Sequence, residues 1–371
     1  MPLVDLGVTH AELKDCILED VAALIDAGTF TGGPHVVAFE REFGAYCGSE
    51  ACVGVGSGLD ALRLTLIAAG IEPGDEVVVP AMTFVATLEA VRQAGGRPIL
   101  ADIEPLDYTL DVAAAAAMVG PRTRFLLPVH LYGQMADVQG LRTLAEDNHL
   151  AVIEDACQAH GATRDGIRAG AAGLAGGFSF YPAKNLGAFG DAGAVVTDDL
   201  ELARCVRVLR EHGQRGKYHH EAEGYTSRLD TIQAVVLLRK LPFLDRWNDE
   251  RRDVARGYME LLEGVGDLRL PAVAPGSEPV WHLFVVRTAN PDGLARHLSG
   301  RGIETGRHYP EPVHLSPAFS SLGYREGAFP VAEALARENV SLPIYPGIDG
   351  EQVARVADAI VEYFRDGLHT Q

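Results

Sequence analysis

Short apolar runs alternate with helical patterns through the first two-thirds of the chain. The runs Cys52–Gly56, Glu76–Val79, Pro98–Ile103, Phe125–His130, Ala151–Asp155, Gly177–Tyr181 and Ala194–Thr197 read as strands. Several are β-branched and lack polar alternation, as expected of strands covered on both faces. Helical stretches such as Leu59–Ala69 and Val138–Asn148 lie between most of them. This alternation predicts an α/β domain with a largely parallel sheet. A long helical stretch begins near Leu229 and closes at Leu241-Pro242. Beyond it the pattern changes. A strand-like Trp281–Arg287 precedes a helix near Pro291–Arg301. A last helix runs from about Gly350, with Val353, Val356, Ile360 and Phe364 on one face. The chain thus divides into a large domain, 1–242, and a smaller α+β domain, 243–371, with no Pro/Gly linker between them.

Composition narrows the function classes. A net charge of -19 opposes binding to nucleic acid or anionic membranes. No apolar run reaches the length of a membrane span. The opening Met1-Pro2-Leu3-Val4-Asp5 lacks the basic and apolar regions of a signal peptide. The 5 cysteines form no C-x-x-C pair, which suits neither a disulfide framework nor a zinc site. A reducing cytoplasm is the expected home, and an anionic small molecule could still bind at a local basic patch. Residues 204–220, with Arg204, Arg207, Arg210, Arg215 and Lys217, offer either a local anion site or a solvated helix face.

The chain has only four lysines, and their settings differ. Lys14 sits in a polar helical stretch and Lys240 ends a long helix, so both read as surface charges. Lys217 lies in the basic segment. Lys184 follows the apolar run Phe178-Ser179-Phe180-Tyr181 and opens the glycine-rich loop Asn185–Gly193. There it is either an ordinary loop lysine or a buried one, and burial favours a neutral amine, the form that makes a Schiff base. Pyridoxal phosphate would need further partners. Asp155, at the end of an apolar strand, is placed to face a pyridine nitrogen or to cap a following helix; Glu154 then points to the opposite face. Gly56-Ser57-Gly58-Leu59 opens a helix and presents N–H groups to a phosphate, with Ser179 as a second donor. Phe84 is a ring-stacking or a core aromatic. Gln158, on an expected first helical turn, reaches a ring hydroxyl or solvent.

In this order the segments resemble the nucleotide-sugar aminotransferases, a DegT-like family of fold-type I pyridoxal-phosphate enzymes. The resemblance rests on Phe178–Gly193 around Lys184, Glu154–Ala162 around Asp155 and Gln158, Pro80–Thr87 around Phe84, and Pro128–Gln134. It implies an aspartate aminotransferase-like fold with a mostly parallel seven-stranded sheet. It also implies a homodimer with active sites at the subunit interface. The segment Gly224–Asp230 would then cross to the partner's phosphate, with Thr226 where the family usually has Asn. Gly58–Leu62, Ser227–Asp230, Trp281–Phe284 and His308–Pro310 look like members acting on dTDP-linked 3-keto-6-deoxyhexoses. There, residues matching Tyr181, Lys217, His308 and Tyr309 contact the nucleotide-sugar. The implied reaction is ping-pong transfer from glutamate through pyridoxamine 5'-phosphate, with Lys184 as proton carrier and no metal. A 4-keto sugar aminotransferase and a non-catalytic regulatory protein are the competing expectations. A dehydratase on this fold would carry histidine in place of Lys184.

Overall fold

The computed structural model describes residues 1–367. All seven expected strands form one sheet. In spatial order they are Ala51–Val55, Gly193–Thr197, Ala175–Ser179, Ala151–Asp155, Thr123–Leu126, Glu76–Pro80 and Arg97–Ala101. The strand Gly193–Thr197 runs antiparallel to both neighbours. Every other adjacent pair is parallel. Alternation within the strands feeds two cores. Val77, Val79, Phe125 and Ile153 enter one cluster, while Val78, Leu126 and Val152 enter another on the opposite face. Each such buried side chain contributes about 1.5–3 kcal/mol, so apolar runs without polar alternation are what a doubly covered sheet requires.

Two expected strands differ in extent for reasons that lie in their loops. Phe125–His130 is a strand only as far as Leu126, because Pro128 has no N–H for the ladder. Its carbonyl still accepts from Asp155 N at 2.9 Å. Trp281–Arg287 is a strand only over Phe284–Arg287, paired with Asn339–Leu342. Trp281, with φ 45°, turns the preceding backbone toward the loop at 131–133.

Around the small sheet pack the helices Leu244–Leu262, Pro291–Gly300 and Gly350–Gly367, through Val254, Tyr258, Leu294, Val356 and Ile360. The 242/243 division falls inside the 3-10 turn Leu241–Phe243. The first residues lie on the C-terminal part: Glu304 N donates to Met1 O and Ile344 N to Leu3 O. Among the described residues no helix is long and apolar enough to cross a membrane.

Glu154 fastens the centre of the large sheet. Its carboxylate is fully buried and accepts from Gly170 N, Ala172 N and Gly173 N at 2.7–2.9 Å. His130 Nδ1 accepts from Ala136 N, so His130 Nε2 carries the hydrogen that it donates to Glu154 at 2.8 Å. Replacing Glu154 by Ala leaves four buried donors unpaired. Glu154→Ala is expected to lower unfolding stability by about 3–5 kcal/mol; urea denaturation measures it, and a loss below about 1 kcal/mol would remove Glu154 from this role.

Candidate active site

The parallel strands end at a cavity of about 480 Å³. Ten of the twelve residues expected to form the site line it: Gly58, Leu59, Phe84, Asp155, Gln158, Ser179, Tyr181, Lys184, His308 and Tyr309. They arrive from five separate segments, and the sheet is what brings them together.

Asp155 stands on the face opposite Glu154. Thr87 Oγ1 donates to its Oδ2 at 2.8 Å, and Thr83 Oγ1 lies 2.7 Å from Thr87 Oγ1. No helix follows Asp155, contrary to expectation. Its Oδ1 instead accepts from Cys157 N at 3.2 Å in a turn. Gln158 is therefore on that turn and not on a helix. It is buried: Oε1 accepts from Tyr132 N at 2.7 Å, and Nε2 donates to Tyr309 OH at 3.1 Å. Tyr132 turns its N–H this way because its backbone is left-handed, φ 59°, an unusual conformation for a bulky residue.

Gly58 begins the helix Gly58–Ala68, capped by Ser57 Oγ, which accepts from Asp60 N at 3.1 Å. A Cβ on Gly58 would stand 2.6 Å from Ser179 Cβ, so only glycine lets the helix start against that strand. The N–H groups of Gly58 and Leu59 have no intrahelical acceptor and carry the positive end of the helix dipole. Phe84 is 52% exposed and its ring centroid lies 5.7 Å from that of Tyr309. It is a cavity wall and not a core aromatic.

Lys184 enters from a tight loop. Its N donates to Tyr181 O, and Ala188 N donates to Phe180 O, both at 2.8 Å. Burial pushes the Lys184 amine below its ordinary pKa, while Cys157 and Asp155 oppose the shift. Lys240, expected on the surface, is buried: its Nζ donates to Gly187 O at 2.6 Å and lies 2.9 Å from His10 Nε2. The helix end that carries it packs under the Lys184 loop, so the second lysine anchors the first one's segment. Burial pushes Lys240 down to about 8.

Thr226 and Lys217 are not brought to the cavity of their own chain. Both are exposed; Thr226 Oγ1 lies 3.2 Å from His212 Nε2, and Lys217 Nζ stands 5.2 Å over the Tyr218 ring. The basic segment is largely neutralised. Arg204 pairs with Glu201 and Glu221, Arg210 with Glu40, and Arg215 with Glu221. Sequence reasoning assigned no role to Thr87, Tyr132 or His282. Thr83 precedes the helix Ala86–Gln93 that carries Thr87, so helical periodicity gave no signal for their pairing. Tyr132 and His282 depend on loop conformations that periodicity does not encode. Among the described residues no His/Cys/Asp/Glu group has the makings of a metal site.

The cavity holds an amine, a carboxylate, a helix N-terminus with a serine beside it, and an aromatic wall. That donor set fits a phosphorylated aromatic aldehyde. The model of the DegT/DnrJ/EryC1/StrS aminotransferase family matches residues 11–361. The chain is 48% identical to the dTDP-3-amino-3,4,6-trideoxy-alpha-D-glucose transaminase of Streptomyces venezuelae, covering 98% of this chain and 96% of that protein. It is 47% identical to the erythromycin biosynthesis sensory transduction protein EryC1 of Saccharopolyspora erythraea, with 99% of each covered. Among solved structures, that of S. venezuelae DesV in complex with a ketimine intermediate superposes with a TM-score of 0.96 at 48% identity, over 98% of each chain.

Lys240 gives a pH test. Its folded pKa of about 8 lies below the ordinary 10.5. Below 8 the buried charge costs stability; between 8 and 10.5 the native state sheds its proton before the unfolded chain does, so the cost is relieved as pH rises. Wild type is therefore expected to gain stability relative to Lys240→Met across that window. Urea midpoints at pH 7.5 and 10 measure it, and a constant difference would contradict the shift.

Proposed function

Because the chain belongs to the DegT/DnrJ/EryC1/StrS aminotransferase family, we propose that it transfers an amino group from glutamate to a dTDP-linked 3-keto-6-deoxyhexose, using pyridoxal 5'-phosphate in a ping-pong cycle. The observation that carries this reading is the meeting of Asp155, at a strand end, and Lys184, in the loop after another strand, on one cavity. When bound, the cofactor supplies an electron sink for charge developing at the donor's α carbon.

The residues divide the work. Asp155, held by Thr87, keeps a pyridine nitrogen protonated. Gly58, Leu59 and Ser179 take the phosphate. Phe84 covers one ring face. Gln158 uses one amide hydrogen on Tyr309 and has its second for a ring hydroxyl. Lys184 Nζ carries the cofactor, and its amine takes and returns the proton of the donor's α carbon. Tyr181, His308 and Tyr309 receive the sugar.

Lys217 and Thr226 serve a second copy's site in a cytoplasmic homodimer. A half-exposed apolar surface supports that interface: Phe30, Phe189 and Ile232 are 55%, 47% and 40% exposed. They are linked through Thr231 N to Phe30 O and Phe189 N to Gln233 Oε1. The regulatory name carried by one relative favours a second reading, a sensory protein on this fold. A buried amine opposed to a carboxylate favours catalysis, since binding alone does not require an electron sink.

The protein is loaded with pyridoxal phosphate, treated with glutamate, freed of glutamate, and mixed with a dTDP-linked 3-keto-6-deoxy sugar or its 4-keto isomer. The cofactor's visible absorbance is expected to be lost with glutamate and to return with the 3-keto sugar alone. Return only with the 4-keto sugar removes the sugar assignment and leaves the transaminase. No loss with glutamate removes the donor. Lys184→Ala is expected to slow the cycle by at least roughly 10²- to 10⁴-fold. Lys217→Ala is expected to raise the KM for the nucleotide-sugar roughly tenfold, measured by steady-state kinetics; an unchanged KM excludes that contact.

A further inference from the structure

Four separate features of the fold fix one imidazole that the cycle above leaves unused. Trp281 holds a left-handed backbone, φ 45°, which is an outlier for so bulky a residue. Gly133, φ 96°, lets the 131–133 loop touch this turn: a Cβ there would stand 2.8 Å from His282 N. Val280 N donates to Gly133 O at 2.9 Å and Leu283 N to Tyr132 O at 3.3 Å, which ties the turn at both ends. Buried Arg251 donates through Nη1 to Trp281 O at 3.2 Å and to Ile344 O at 3.0 Å.

The fourth feature sets the tautomer. Asn248 Nδ2 donates to His160 O at 2.8 Å, so Asn248 Oδ1 is the atom facing Asn185. Asn185 Nδ2 donates to that oxygen and to Val280 O, both at 2.9 Å. Asn185 Oδ1 is thereby left to face His282 Nδ1 at 3.2 Å. An amide oxygen only accepts, so Nδ1 carries the hydrogen and Nε2 carries a lone pair. No other described residue bonds to Nε2. Burial first, then Lys184, Arg251, His308 and His160, keep the ring neutral. No carboxylate is among these neighbours. The ring lines the same cavity as Lys184, and Asn185, which orients it, is the residue next to Lys184.

We propose that His282 is a positioning residue for Lys184: its Nε2 accepts a hydrogen bond from the Lys184 amine when that amine is free, and so fixes where the proton-carrying nitrogen stands. The inference rests on Lys184 being the cofactor lysine. A wall residue would need only bulk. The fold instead spends two left-handed residues, a buried arginine and a chain of two oriented amides on aiming one lone pair.

The test uses the full-length chain with 13C at lysine Cε. Four lysines give four signals, and Lys184→Arg identifies the one that matters. A bond accepted from the ammonium favours the charged form. In the cofactor-free protein, His282→Phe and His282→Asn, which lack an acceptor at the Nε2 position, are expected to lower the Lys184 titration midpoint. His282→Gln, whose Oε1 reaches that position, is expected to restore it. Either acceptor-free variant suffices if the other does not fold.

In the loaded enzyme the acceptor-free variants are expected to slow the glutamate half-reaction roughly 10- to 100-fold, with the glutamate dissociation constant unchanged and a larger α-deuterium isotope effect. A midpoint that does not move, or a His282→Gln protein that behaves like His282→Phe, overturns the proposal. Borohydride reduction separates this from the parent reading. If it fixes cofactor on Lys184 in wild type and variants alike, a negative result sinks His282 alone. If wild type is not fixed at Lys184, both readings fall.

Discussion

The alternation of side chains along the strand Ala151–Asp155 is the constraint on which the site depends. Consecutive residues on a strand face opposite sides. Glu154 points into the helix-covered side and is satisfied there by His130 and three backbone N–H groups. That fastening leaves Asp155 no choice but the cavity. A slip of one residue would bury Asp155 among those donors and turn Glu154 toward Thr87. The two adjacent carboxyl groups are chemically alike, and the pleat alone gives one to the sheet's fastening and the other to the cavity.

Residues whose role follows from periodicity were legible in the sequence. The seven strands, the helix after Gly58, and the positions of Asp155 and Lys184 at strand ends follow from apolar runs broken by glycine. So does the opposition of Glu154 and Asp155. Residues whose role follows from a particular backbone conformation were not legible. Tyr132 and Trp281 adopt left-handed φ values that no local pattern announces. The turn after Asp155 resembles a helix start in composition, yet Cys157 N finds Asp155 Oδ1 first. Lys240 misleads for a different reason. A charged residue at a helix end reads as exposed, but the carbonyl of Gly187 supplies a buried acceptor from 53 residues away, and sequence distance hides that partner.

The electrostatic character of the cavity follows from burial more than from net charge. The chain carries -19, yet the groups around Lys184 include His160, His282 and His308, all held neutral by desolvation. His160 and His308 are pushed down to about 3 and about 4. Neutral imidazoles supply acceptors without adding positive charge beside the buried Lys184 amine. Charged histidines in these places would depress the lysine further and repel a protonated ring. The carboxyl groups that line the cavity with Lys184 are Asp155, Glu89 and Asp191.

Strain and anchoring converge on the same two loops, and that coincidence separates structural cost from accident. Left-handed conformations of Tyr132 and Trp281 each cost of order 1–3 kcal/mol. Both lie where the 131–133 loop meets the 280–283 turn. A fold selected only for stability would relax one of them, since a short loop can usually be rebuilt with glycine. Here the strained residues do separate jobs. Tyr132 turns its N–H to Gln158, which in turn holds Tyr309. Trp281 turns the chain so that His282 meets Asn185. Relaxing either would free a side chain of the cavity wall without touching Lys184 or Asp155. The two loops thus form a fixed wall of the cavity that Lys184 enters, and the strain is the cost of holding that wall at the mouth of a parallel sheet.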